Sequence, residues 1–363
     1  MPIYSFRIYA IIFSFVSLFV VSACGGGGGG GGGGDNGVTI SEWLVPRNEV
    51  VDGGPGVDGI PPLQNPNYET AMTINTVLPD DLVVAVRHAG QIWVYPHDIM
   101  DWHEIVNDGP ASSPFIMSYC PLTGSAAAWN GTATDSDPSY GGSGLLFNSN
   151  LILYDRRTTS LWSQMMQTSI HGLRIRERPT NIQVIETKFS TLQQMYPDAT
   201  VLTRDTGHNR DYDRYPYNDY KTSSDLLFPA NNNDNRLHRK ERVMGVLVAG
   251  STSKVYQLNG FGSLTDTIND QVGDLSVVVV GNTDLNFAAT YDRELSDGTI
   301  LTFSPVQNDL PNVMTDGEGN VWDIFGKAVS GPRTGEQLSL TSSLTAYWFA
   351  WTAFNPNAQI YFN

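Results

Sequence analysis

The sequence predicts an α+β fold: two duplicated, β-rich lobes with short helices, related by an approximate two-fold axis. Three observations carry this. Short apolar runs bounded by Gly, Pro, Asn and Asp recur along the chain, as strands and hairpins do. Brief stretches of helical spacing at residues 99–106 and 189–196 interrupt them. The second half also repeats landmarks of the first. Tyr95 and Asp108 correspond to Tyr256 and Asp270, at offsets of 161 and 162 residues. Trp162, Gly172 and Pro197 are echoed by Trp322, Gly331 and Pro356. Phe189 and Leu192 correspond to Trp348 and Trp351. A repeat in constant order and spacing is the mark of a duplicated unit.

Taken from the start, the chain opens on a targeting segment. Arg7 gives a positive flank, residues 8–21 are apolar, and Val21-Ser22-Ala23-Cys24 resembles a bacterial lipobox. The resemblance implies cleavage before Cys24, lipidation of its thiol and a membrane partner through that anchor. The apolar run is too short for a comfortable span. Glycine is unbroken over 25–34, which suits a flexible tether. Because no aspartate follows Cys24, lipoprotein sorting habits place the protein in the bacterial cell envelope, at the outer membrane rather than the inner. The divisions read as a signal peptide at 1–23, lipidated Cys24 and tether at 24–59, a first lobe at 60–203, a connector or lid at 204–242 and a second, degenerate lobe at 243–363.

With 363 residues, 40% hydrophobic, the chain can bury a sizeable core. Its net charge of -16 argues against nucleic acid, whose phosphates require clustered Lys and Arg. The chain has two cysteines. With Cys24 committed to lipid, Cys120 has no disulfide partner within the chain.

Within the first lobe, residues 82–86 and 92–95 read as strands around a turn at Ala89-Gly90. Residues 99–106 put Ile99, Trp102 and Val106 on one helical face, with Asp98 as N-cap. Residues 115–119 form a strand ending at Cys120. Strands at 145–147 and 151–154 flank Asn148-Ser149-Asn150, and another covers 160–163. The helix at 189–196 stops at Pro197, and 200–202 is a strand. Residues 204–242 are dense in charge and tyrosine. Arg210, Asp211, Tyr212, Arg214 and Tyr217 fit either a lid over a site or a salt-bridged connector.

Comparing the halves separates frame from chemistry. Both keep the Val-Tyr strand, the Asn-Asp turn, the Trp strand and the aromatic helix before Pro. Only the first has His103-Glu104, opposite Leu264-Thr265, and Cys120, opposite Gly281-Asn282.

The stretches Trp102-His103-Glu104-Ile105-Val106-Asn107-Asp108, Tyr119-Cys120-Pro121-Leu122-Thr123-Gly124 and Ser143-Gly144-Leu145-Leu146-Phe147-Asn148-Ser149 resemble the bacterial family DUF3179. The resemblance continues through Tyr154-Asp155-Arg156, residues 160–164 and Thr206-Gly207 to Tyr220. It implies no activity. The family pattern reads Cys-Pro-Leu-Cys-Gly where this chain has Thr123, which removes the resolving thiol needed for dithiol exchange.

Two chemistries fit Cys120, His103 and Glu104. As metal ligands, thiolate and imidazole suit copper or zinc, with Glu104 adding a carboxylate. As catalytic groups, His103 holds Cys120 as a thiolate for redox or nucleophilic work and Glu104 serves as base. The alternative is a non-enzymatic envelope protein that binds a small ligand or builds structure, with Cys120 buried. Asn148, Ser149, Tyr154, Arg156 and Arg210 are the further residues expected to line a ligand site. The turn at 141–144 lacks the lysine and following helix of a phosphate cradle and reads better as a hairpin. Whether the chain is an enzyme is left open by its residues.

Overall fold

The computed structural model describes residues 42–130, 139–231, 233–248 and 252–362. The expected signal peptide, the lipidated Cys24 and the glycine run lie outside the described residues.

The α+β expectation is corrected. Among the described residues there are twenty-six strands and three α-helices, each of seven residues: α1 (His97–His103), α2 (Phe189–Met195) and α3 (Trp348–Phe354). Six small sheets make the fold β-rich. The reason is local. Valine runs such as residues 83–84 and 277–280 favour the pleated surface. Two-turn helices are too short to build a layer of their own. None of the described helices is long and apolar enough to cross a membrane.

The helix expected at 99–106 forms earlier. It starts after Pro96 and stops at Glu104, whose φ of +57° turns the chain left-handed. Ile105 and Val106 belong to the strand Ile105–Asp108. Asp98 does not cap the helix, whose N-cap is Pro96 without a side-chain bond. Its carboxylate accepts from Arg204 at 2.7 Å instead.

The first half contains three five-stranded sheets. One orders Val184–Lys188, Leu82–His88, Gln91–Pro96, Thr200–Leu202 and Tyr68–Thr70. The second runs Asn181–Ile182, Ser125–Trp129, Phe115–Cys120, Ile105–Asp108, Leu63–Gln64. The third runs Val50–Asp52, Tyr140–Phe147, Asn150–Asp155, Leu161–Ser163, Thr168–His171. The second half uses the same order in smaller sheets: Ser342–Tyr347, Arg242–Val248, Thr252–Gln257, Gln359–Ile360; then Asp266–Val272, Leu275–Asn282, Phe287–Asp292; then Phe303–Pro305, Asn312–Asp316, Val321–Asp323, Ala328–Ser330. Register is shared too. Val94 pairs in parallel with Val201, and Val255 with Ile360.

The same polar ties recur in each half. Tyr95 Oη donates to Asp108 at 2.6 Å and Tyr256 Oη to Asp270 at 2.8 Å. Trp162 Nε1 donates to Asp155 at 3.0 Å and Trp322 Nε1 to Asp316 at 2.8 Å. Asn107 exchanges two bonds with the backbone of Tyr140, and Asn269 does so with Phe303. Each tie satisfies a buried polar group that would otherwise cost about 1–3 kcal/mol.

The halves do not stand apart as lobes. All described residues fall in one compact unit, Ile40–Asn363. Its largest core cluster joins Val83, Phe189 and Leu192 of the first half to Val280, Phe287 and Trp322 of the second. Gly124, at φ +59°, turns the chain so tightly that a Cβ there would lie 3.0 Å from the Tyr347 ring.

The frame differs in two places. Between Gln257 and Asp266 the second half has only a 3-10 turn, Leu258–Gly260, where the first half has α1 and Glu104. Gly260 and Gly262 disfavour a helix there. The first half also sends residues 204–231 across α1. Trp102 Nε1 donates to Arg214 O at 3.1 Å, and the Lys240 ammonium donates to the carbonyls of Tyr220, Ser223 and Asp225.

Candidate functional site

Glu104 is placed by the end of α1. Its N–H donates to Met100 O at 2.9 Å, closing the helix, and its own carbonyl accepts from Tyr119 N at 2.7 Å. A non-glycine residue in the left-handed region costs about 1 kcal/mol or more, so the surrounding structure over-determines it. Glu104 lines a cavity of about 200 Å³. The walls are mostly apolar: Ile60, Leu122, Leu146, Leu151 and Phe228, with the ring of Tyr217. Burial pushes the Glu104 carboxyl up to about 8; the hydrogen bond with Tyr217 opposes this and the charge of Asp101 adds to it. At neutral pH the group is therefore mainly a carboxylic acid, able to donate one hydrogen bond.

Cys120 sits just behind this cavity, fully buried among Ile105, Leu122, Leu151 and Tyr220. Its thiol donates to Ser149 O at 3.8 Å. Burial, and then the charge of Glu104, push the thiol up to about 11, against hydrogen bonds from the Thr123 hydroxyl and the Leu151 and Thr123 N–H groups. The reactive thiolate is thus a small minority at neutral pH. Thr123, at the place of the family's second cysteine, is fully buried in a polar network. Asn150 Nδ2 donates to Thr123 Oγ1 and to Gln164 Oε1, both at 2.9 Å, while Gln164 Nε2 donates to Ser118 Oγ at 3.1 Å. This network fixes the turn that carries Cys120.

His103 is engaged elsewhere. Its Nδ1 lies 2.8 Å from Pro61 O and its Nε2 2.7 Å from Tyr212 Oη. A carbonyl only accepts, so Nδ1–H is the donor there. Burial holds the imidazole down to about 4, opposed by Pro61 O and helped by the charges of His208 and Arg210. The neutral ring therefore accepts the Tyr212 hydroxyl at Nε2, and Tyr212 in turn meets Thr206 Oγ1 at 2.6 Å. Both ring nitrogens are satisfied within the protein. The groups hydrogen-bonded with the Cys120 sulfur are Ser149, Thr123 and Leu151, and Glu104 acts on it through its charge, while His103 is spent on the 204–220 segment. Among the described residues, no group of three or more His, Cys, Asp or Glu side chains is arranged to hold a metal ion.

The other expected ligand residues mostly brace the cavity. Asn148 and Ser149 form the hairpin turn, with φ of +50° and +62°. Asn148 Oδ1 accepts from Asn231 N at 3.0 Å, and Ser149 Oγ donates to Phe228 O at 2.7 Å, so they hold the segment bearing Phe228. Tyr154 Oη and Arg156 Nη1 both bind Asp58, at 2.7 and 2.9 Å, and anchor the segment whose Gly53, Pro55 and Gly56 line the cavity. Gly144, at φ +75°, permits the close approach of that segment, since a Cβ would lie 2.6 Å from the Gly56 backbone. Arg210 stands apart, its guanidinium 5.9 Å from the Trp102 ring. Phe228 has no signal in the sequence. Leu122 lies inside the Cys-Pro-Leu-Thr-Gly turn, which is the signal that could have found it.

No curated protein and no solved structure matches the chain. The family described as protein of unknown function (DUF3179) matches residues 57–358, and with that match covering most of its length, including α1, the Cys120 turn and the cavity walls, the chain belongs to DUF3179.

Proposed function

We propose that this is a cell-envelope protein that binds a small, mainly apolar ligand in the Glu104 cavity. The ligand carries one hydrogen-bond acceptor, such as a ketone or amide carbonyl. The reading is supported by Glu104, whose carboxyl is kept protonated by burial, at the wall of an apolar cavity of about 200 Å³. Apolar walls with one or two placed polar groups are the usual composition of a small-molecule site. Cys120 serves as a buried wall support. The lipobox at Val21-Ser22-Ala23-Cys24 and the glycine run supply the reason for placing the protein at a membrane surface, the outer membrane of a two-membrane bacterium.

Titration with acetophenone, an apolar ring with one carbonyl, tests the site. Propylbenzene is the matched probe without an acceptor. Acetophenone binds one to one and at least five times tighter than propylbenzene. Glu104→Met removes that preference. Gly142→Phe abolishes both, because a Cβ at Gly142 meets nothing within 4 Å and a ring there extends over the cavity it lines. Equal affinity of both probes for the wild-type chain, or unchanged binding by Gly142→Phe, contradicts the reading. Rapid alkylation of Cys120 in the folded protein instead favours the thiol chemistry.

A further inference from the structure

On its other side, α1 borders a second cleft, of about 350 Å³, that the Glu104 cavity does not account for. We propose that this cleft binds a small organic cation, with the carboxylate of Asp101 receiving its ammonium or guanidinium group.

Asp101 is 4% exposed, yet it lines the cleft. One oxygen, Oδ2, accepts from Lys221 Nζ at 2.9 Å; the other, Oδ1, has no hydrogen-bond partner. A buried carboxylate oxygen without a donor costs enough to need an explanation. The lining is acidic, with Asp80, Asp81, Asp98, Asp101 and Asp213 against Arg204, Arg214 and Lys221. The two paired cations are committed: Arg204 bridges Asp98 and Asp213, both at 2.7 Å, and Lys221 holds Asp101. Deeper in, Glu186 is matched by Arg242 and by His97, whose Nε2 lies 3.4 Å away. The acceptor left without a donor in this lining is Asp101 Oδ1, whose carboxylate is held on one oxygen only, by Lys221.

Its surroundings already hold an ammonium. Lys221 Nζ lies 4.1 Å from the centroid of the Tyr215 ring while it contacts Asp101. Carboxylate plus aromatic face is a cation site. Lys221 reaches it from the surface, its side chain 40% exposed, and so stands in for the incoming group. The frame does not require this charge. The eight residues 97–104 occupy the place of 258–265 in the second half, where Gly262 stands opposite Asp101 and the strands still join.

Calorimetric titration of the full chain with 1,4-diaminobutane and with agmatine tests the proposal, with 1,4-butanediol as the uncharged control. Both cations bind one to one and the diol does not. Lys221→Met, which removes the internal competitor, tightens binding at least threefold. Asp101→Asn weakens it at least tenfold, and Gly142→Phe leaves it unchanged, separating this cleft from the Glu104 cavity. Absence of binding to both the wild-type chain and Lys221→Met overturns the proposal. So does binding by a folded Asp101→Asn protein that equals wild type. If Asp101→Asn does not fold, Lys221→Met decides alone: tighter binding supports the site, and unchanged or weaker binding overturns it.

Discussion

The hydroxyl of Tyr217 lies beside the carboxyl of Glu104, close enough that each shifts the other's titration, and so joins the end of α1 to the loop that crosses it. The phenol is raised by burial and by the nearby Glu104 and Cys120 charges, so it remains protonated wherever the protein is folded. Both partners are therefore neutral at pH 7, and the contact joins two uncharged groups beside an apolar cavity.

A pH dependence follows from Glu104. Its carboxyl titrates from an ordinary 4.5 in the unfolded chain and near 8 in the folded one. The folded state holds the proton more tightly. This group's contribution is fully present below pH 4.5, declines as pH rises, and is lost above about 8. The span corresponds to a few kcal/mol at most, at about 1.4 kcal/mol per pH unit. Melting temperatures should fall between pH 6 and 8.5, and Glu104→Gln should flatten that fall. A parallel decline in both proteins contradicts the assignment.

Cys120 should be inert. At pH 7.4, iodoacetamide should modify almost none of it before unfolding and all of it afterwards. Cys120→Ala removes one buried sulfur and should cost about 1–2 kcal/mol in urea unfolding. Stoichiometric labelling of folded protein is the outcome against this.

The polar network beneath Thr123 should matter more than any exposed ion pair. Gln164→Ala removes one partner each from Asn150 Nδ2, Ser118 Oγ and Ser125 Oγ. Three buried hydrogen bonds lost, at about 0.5–1.5 kcal/mol each, predict a loss of about 2–4 kcal/mol. A loss below about 1 kcal/mol shows that the network relaxes.

Metal removal gives a direct check on His103. Its two nitrogens already bind Pro61 and Tyr212. Dialysis against a strong chelator should leave the melting temperature unchanged. His103→Ala should lower stability by about 2 kcal/mol with no change in metal content by elemental analysis. A melting temperature that drops with chelator and recovers with zinc or copper reverses this.

Much of the local structure was legible in the sequence. The apolar run at 82–86 lies within the strand Leu82–His88, and the Asn148-Ser149 turn joins two paired strands. These features are written in neighbouring residues. The end of α1 is not, because Glu104 adopts a positive φ that glycine favours and glutamate does not. That turn is imposed by tertiary contacts, and it decides where the carboxyl goes. The placement of His103 was hidden for the same reason. Its partner Tyr212 comes from a charged loop whose path no periodicity reports. Helical spacing at two short stretches suggests an α+β class, but two-turn helices leave the layers to the strands.

Glu104 as a protonated donor at the wall of the cavity has a signature of its own. Carboxyl-13C NMR of glutamate-labelled protein, with Glu104→Gln to assign the signal, tests it most directly. The Glu104 signal should show a midpoint near pH 8 that rises when the protein is saturated with acetophenone, because the probe's carbonyl binds only the protonated form. A midpoint near 4.5, or one near 8 that saturation leaves unmoved, contradicts it.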